Sequence, residues 1–210
     1  MLKKIKDTLA IETHDPERFD KAIRDDIDFK GRKLWILVFA VLTACIGLNI
    51  DTKAVVIGAM LISPIMGPIN GLGYGLAICD SALIRSSAAN FGIAVFITML
   101  VSTIYFLLSP EKATTTEIMN RTDPNFYHAL IGITGGIVGI LAKSRKEDNN
   151  VVPGVAIATA LLPPLCSMGF GIATGHLNVA RDSLLMFLLY VLCIAGASAV
   201  TSRVIGLGGK

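Results

Sequence analysis

Hydrophobic residues along this chain fall in long blocks, without the short alternations of a soluble fold. Six stretches are apolar over about the 17–25 residues that a helix needs to cross a bilayer: residues 34–50, 54–79, 91–108, 126–142, 151–174 and 183–205. The fourth has the shortest unbroken run, 129–142, and needs Phe126, Tyr127 and His128 to reach across. Ahead of them, the first 33 residues carry 17 charged side chains and no continuous apolar run, so no cleavable signal peptide is expected. Within that polar segment Asp15 reads as a helix N-cap and Pro16 as the first helical position, with Phe19, Ile23 and Ile27 one turn apart. The pattern predicts a short amphipathic helix. It suits either a membrane-surface or subunit-contact helix ending in Lys30, Arg32 and Lys33, or a solvated connector.

Composition and charge narrow the class. With 53% hydrophobic and 17% charged residues and a mean hydropathy of +0.65, the 210-residue chain falls outside ordinary soluble domains. A net charge of +3, with basic residues scattered, gives no support for a nucleic-acid partner. Cys45, Cys79, Cys166 and Cys193 stand singly in apolar runs, and His14, His128 and His176 are equally solitary. Buried reduced thiols are expected, with neither a metal site nor a cofactor. Placing the amino terminus in the cytoplasm puts fifteen of nineteen Lys and Arg inside and leaves Lys53, Lys112, Arg121 and Arg181 outside. Both termini are therefore assigned to the cytoplasm. The outside segment 109–128 is polar without recognisable chemistry, and its Asn120-Arg121-Thr122 sequon is a chance-level match.

Self-comparison is more informative. A shift of 96 positions lays the second apolar stretch on the fifth: Val55, Val56, Gly58, Pro68, Gly73, Gly75, Ala77 and Arg85 fall on Val151, Val152, Gly154, Pro164, Gly169, Gly171, Ala173 and Arg181. Ser63 meets Thr159, and Tyr74 meets Phe170. A unit of three spans is odd, so its second copy enters the membrane from the opposite side. The expected fold is all-α and polytopic. A cytoplasmic segment (1–33) precedes about six transmembrane helices (34–205), arranged as a 3+3 inverted-topology repeat (about 34–108 and 126–205), and a short tail (206–210) follows.

Helix breakers lie near the middle of the two matching spans. Proline cannot donate to the carbonyl four residues earlier, so Pro64 and Pro68 would free those of Met60 and Pro64, and Pro163 and Pro164 those of Thr159 and Ala160. Unpaired backbone at that depth costs several kcal/mol per group unless it is buried in protein or lines a wet cavity. Two broken helices at equivalent places are the usual setting of a transporter site near the bilayer midplane. Candidate ligand-binding residues are Ser63, Pro64, Gly67, Pro68, Asn70, Thr159, Pro163, Pro164, Cys166 and Ser167. Freed carbonyls and hydroxyls suit a small cation, half-helix amino termini suit an anion, and the Asn70 carboxamide serves either. Taken singly, a membrane-helix proline is more often a structural kink, and glycines four apart are more often packing surfaces. Asp51 and Asp80, at the ends of the second span, read as hydrated helix ends or as gating carboxylates; Arg85 and Arg181 read as interface anchors or as an anion-attracting mouth.

The stretches "VIGAMLISPIMGPINGLGYGLAI" and "NNVVPGVAIATALLPPLCSMGFGIATG" resemble the bacterial and archaeal family catalogued as domain of unknown function 389, also called the uncharacterised hydrophobic domain. The resemblance covers about 34–205 and is carried by Ser63, Pro64, Met66, Gly67 and Pro68, and by Leu162, Pro163 and Pro164. It implies a hydrophobic inner-membrane protein, with an extra soluble portion in some members, and it carries no substrate or catalytic residue onto this chain. The leading expectation is a channel or secondary transporter for a small ion or polar solute, embedded in lipid and assembled as a homodimer or higher oligomer. The alternative is a non-transporting scaffold or sensor. No catalytic motif is recognised, so an enzyme is not expected.

Overall fold

The computed structural model describes residues 16–143 and 151–205, with the side chains of 17–143 and 161–205. The Asp15 cap, Arg145, Lys146 and the tail 206–210 lie outside the described residues, as does the side chain of Thr159. Nine helices make up the regular structure of the described residues. They are α1 (Pro16–Ile27), α2 (Arg32–Asn49), α3 (Lys53–Ile62), α4 (Met66–Ile78), α5 (Ser81–Leu108), the single turn α6 (Thr116–Met119), α7 (Phe126–Lys143), α8 (Val151–Thr174) and α9 (Leu177–Val204). Four of them, α2, α5, α7 and α9, are long and apolar enough to cross a bilayer, and α3 with α4 forms a fifth apolar path bent by 59°. Large apolar side chains point outward along these helices; Phe96 is 67% exposed and Leu192 72%. Such a surface is stable only against lipid. The chain is a multi-pass membrane protein.

A polar residue places the start of α5. Asp80 caps α5 by accepting from the N–H groups of Ala82 and Leu83, both at 3.0 Å. This cap starts α5 ten residues before the apolar stretch expected from residue 91, and α9 likewise starts six residues before residue 183. Each is a 28-residue helix, about 42 Å at 1.5 Å per residue, so its polar first turns project beyond a hydrocarbon core of about 30 Å. Between α4 and α5 the turn is made by Cys79, whose φ of 56° lies in the left-handed region. Of the four thiols expected to be buried, Cys45 and Cys166 are; Cys193 is half-buried, and Cys79 is exposed because it sits at this turn and not within the helix packing.

Of the two expected breaks, one forms. The α3–α4 bend lies at residues 63–65, and the carbonyl of Met60 is not orphaned, since it accepts from the Ser63 N–H at 3.2 Å. Pro68 causes no second break: it is the third residue of α4, inside the first turn, where backbone N–H groups have no intrahelical acceptor. In the second half, Pro163 and Pro164 lie inside a continuous α8. Both prolines are buried, and Leu161, Leu162, Leu165 and Cys166 around them are at most 1% exposed. Tertiary packing here outweighs the local preference for a break.

Helix α9 packs against α7, α8 and α4, while α5 packs against α4 and α8. Close approach is made at glycines: a Cβ on Gly73 would collide with Ser198 of α9, and one on Gly169 with Ser102 of α5. Helix α1 is docked on the bundle through its apolar face and is not a free connector. It lies along α4, with Phe19, Ile23 and Ile27 at most 3% exposed and the rings of Phe19 and Tyr74 edge to face at 5.1 Å. Each of these three side chains contributes on the order of 2 kcal/mol to docking. At the other end of the contact a Cβ on Gly67 would strike the Asp26 carbonyl, whereas one on Gly58 would meet open space. Gly67→Ala is therefore expected to destabilise the fold by about 1–3 kcal/mol, while Gly58→Ala is neutral or gains up to about 1 kcal/mol from helix propensity. Thermal unfolding of both purified variants in detergent checks the contrast.

Candidate functional site

Buried polar side chains lie at the 63–65 bend and just over one turn beyond it, the second of them against α9. Ser63 ends α3 with its hydroxyl buried and without a hydrogen-bond partner among the described residues. Asn70, just over one turn into α4, is 0% exposed. Its Oδ1 lies 3.4 Å from the Ser198 hydroxyl of α9, which also lies 3.3 Å from the carbonyl of Gly136 in α7. Ser198 has one proton for these two acceptors, and a carboxamide can be turned end over end. The side chain therefore presents either an unused N–H donor or, turned over, an unused carbonyl oxygen; with Oδ1 towards Ser198, Nδ2 has no partner among the described residues. Leaving such a group unsatisfied costs about 1–3 kcal/mol.

The other sequence-predicted residues divide into two groups. Pro64, Gly67 and Pro68 share the bent pair with Ser63 and Asn70, and Gly67 packs against Asp26 of α1. Pro163, Pro164, Cys166 and Ser167 lie on α8, which touches α4. The Ser167 hydroxyl is buried without a partner among the described residues, and the Cys166 thiol lies against that of Cys45 in α2. Ser198 and Gly136 were absent from the sequence-derived set, as were Ser87 and Ser183, whose hydroxyls are buried and unpartnered. The 96-residue shift carried past Arg85 would have found three of the four, because it aligns Ser87 with Ser183, Phe91 with Phe187, Val95 with Val191 and Ser102 with Ser198.

A layer of ion pairs lies across one end of the helices. Arg24 of α1 bonds Asp20 and the α5 cap Asp80, each at 2.7 Å, and the paired guanidinium holds the Asp80 carboxyl below the usual range. Asp26 pairs with Lys143 at the end of α7 and, at 3.4 Å, with Lys33 near the start of α2. Lys33 also reaches the Asp26 carbonyl at 2.8 Å. Burial raises the Asp26 pKa, but the two lysines outweigh it and the net shift is downward. Arg203 completes the layer by donating to the carbonyls of Ala77 and Leu76 at the end of α4. A crevice of about 480 Å³, lined by Arg24, Asp25, Ile27, Asp28, Ala82, Leu83 and Ser86, opens between α1 and α5.

The opposite end is closed by the segment expected to lack chemistry. Glu117 of α6 has a side chain 7% exposed, between Arg121 at 3.3 Å and Lys53 at 3.7 Å. Its N–H donates to the Asp51 carboxylate at 2.7 Å, which keeps the Asp51 pKa low. Thr115 Oγ1 donates to the Leu48 carbonyl at 2.6 Å. Asp51 and Asp80 are thus fixed at helix ends by named partners. Arg85 is exposed, and Arg181 pairs with Asp182 at 2.9 Å.

Buried polar groups within a polytopic helical bundle define a membrane protein with polar chemistry inside its core. A family model described as "Domain of unknown function (DUF389)" matches residues 60–195, and the chain belongs to that family. It is 26% identical over 201 residues to an uncharacterized protein of Methanocaldococcus jannaschii. That alignment covers 93% of this chain and 62% of the relative, so the chain spans under two thirds of that protein's length. No solved structure matches the chain.

The Asp26 shift has a definite sign. Its pKa is lowered by folding, so its contribution to α1 docking is complete above the unfolded value near pH 4 and is lost as pH falls through the folded value. The pair is partly exposed and so partly screened, and worth about 0.5–1 kcal/mol. Hydrogen exchange of α1 amides is expected to accelerate on acidification below about pH 4 after correction for the intrinsic rate. In Asp26→Asn that pH-dependent part disappears.

Proposed function

We propose that this chain is an integral-membrane channel or secondary transporter for a small ion or small polar solute, with its site at the α3–α4 bend around Asn70. The observation that carries the reading is the fully buried Asn70 carboxamide, which reaches Ser198 from a bent span and keeps one polar group unused. A polar group that a bundle retains at such a cost is a candidate for ligand contact. We assign six spans, α2, α3–α4 and α5 followed by α7, α8 and α9, as two halves of inverted topology. The helix ends at Ile78 and Thr174 are 96 apart, as are both ends of α5 and α9. All six residues of the buried stripe of α5, namely Leu83, Ser87, Ala94, Thr98, Ser102 and Phe106, have buried counterparts 96 positions on.

Contacts between the halves support the same assignment. Gly73 packs on Ser198 and Ala199, while Gly169 packs on Ser102 and Thr103, which is one contact made twice with the halves exchanged. Within each half, Gly75 meets Ile84 and Gly171 meets Ala180. Phe91 and Phe187 are counterparts of each other, and their rings stack at 6.0 Å, as residues on a two-fold axis would. We place the α1 end in the cytoplasm of a cell inner membrane, because Lys33, Lys143 and Arg203 gather there. The small chain favours a homo-oligomer.

A second reading, a non-transporting scaffold or sensor, is favoured by one feature: Gly67 and Gly71 lie in close contact with α1, so the bend is covered in this conformation. Flux of Na⁺, K⁺, H⁺, Cl⁻ and small organic anions into proteoliposomes separates the two. Selective flux is expected, reduced at least about tenfold by Asn70→Ala and by Ser198→Ala while unfolding temperatures hold. Absence of flux for every solute, with insertion verified, would decide for the second reading.

A further inference from the structure

The contact between α1 and the bent pair has features that ordinary helix docking does not require. Ile27 and the Ser87 hydroxyl both crowd Gly71: a Cβ there would lie 2.6 Å from Ile27 Cδ1 and 2.5 Å from Ser87 Oγ. Ser87 is 0% exposed and its hydroxyl has no partner among the described residues, so a polar group is kept dry where Ile27 closes on α4. The helix that closes it is held at its edges by charge. Arg24 reaches Asp80 of the α4–α5 turn, and Asp26 reaches Lys33 and Lys143. Beside these pairs the crevice of about 480 Å³ leaves the α5 flank of α1 unfilled. The connection to α2 passes through Gly31, at φ 56° and ψ −114° with open space around it, a conformation that L side chains rarely adopt.

We propose that α1 is a hinged lid that swings about Gly31, closes the α3–α4 bend by seating Ile27 and Asp26 on Gly71 and Gly67, and is latched by the Arg24–Asp80 and Asp26–Lys33–Lys143 ion pairs. Lifting it wets Ser87 and the small-residue face of α4. Its role as a gate rests on the transport reading above, but its movement does not. The latch pairs are partly exposed, so they weaken with ionic strength while the apolar seat does not.

The test uses the full chain in liposomes, with Cys79→Ser removing the exposed thiol and Ser87→Cys reporting wetting through its rate of reaction with N-ethylmaleimide. Breaking the latch with Arg24→Gln and Asp26→Asn is expected to speed labelling at least about tenfold. With Arg24 intact, reversing the whole cluster with Asp26→Lys, Lys33→Asp and Lys143→Asp together is expected to return it towards the slow rate, which a misfolded protein would not do. Unchanged labelling after the latch is broken overturns the lid. If labelling rises and flux rises with it, the gate stands; if labelling rises while an existing flux stays constant, the lid moves but does not gate. Labelling that rises with no flux in any variant supports the moving lid and removes the transport reading instead.

Discussion

Close approach of backbones at small residues is the constraint on which this bundle depends. Lipid tails are as apolar as leucine, so burying apolar area does not drive one spanning helix against another, and association rests on packing, hydrogen bonds and the surfaces that allow them. At Gly73 against Ser198 and Gly169 against Ser102 there is no room for a side chain on the glycine. These contacts carry α9 onto α4 and α5 onto α8. They bring the Ser198 hydroxyl to Asn70, so the packing that holds the bundle together also builds its most polar interior point. The two ends are then closed by different means: ion pairs from α1 at one, and the buried Glu117 with its cationic neighbours at the other.

What could be read from the sequence follows from which physical signal was strong. Apolar length placed α2 and α7 within two residues of their observed ends, because a spanning helix must be apolar wherever it meets hydrocarbon. The same signal could not see the first ten residues of α5, where Ser, Ala and Arg85 belong to a helix that has already left the core; the Asp80 cap was the cue that went unused. The period of Phe19, Ile23 and Ile27 marked an amphipathic helix correctly but said nothing of its acceptor, since the glycines of α4 that receive it lie some forty residues away in sequence.

The proline reading shows the limit from the other side. Pro64 sits at a real bend, whereas Pro163 and Pro164 are tolerated in a continuous helix because the leucines around them are fully packed. Local chemistry set where a break would be cheap, and tertiary contact decided whether it formed. For the site, Ser63 and Asn70 were found from residue type and position. Around Asn70, the Gly136 carbonyl comes from α7 and enters only through three-dimensional contact, whereas Ser198 of α9 was within reach of the 96-residue shift had it been carried past Arg85.

The Phe91–Phe187 stack has a bearing on ancestry. On the proposed arrangement each ring rests on its own counterpart, so one half of the chain carries a surface complementary to an upside-down copy of itself. A gene encoding a single half would then gain from inserting its product in both orientations, with its cationic residues balanced across the bilayer so that neither orientation wins. Fusion of two such genes would free the halves to diverge in charge and in shape, one carrying a bent pair such as α3–α4 and the other a continuous helix such as α8.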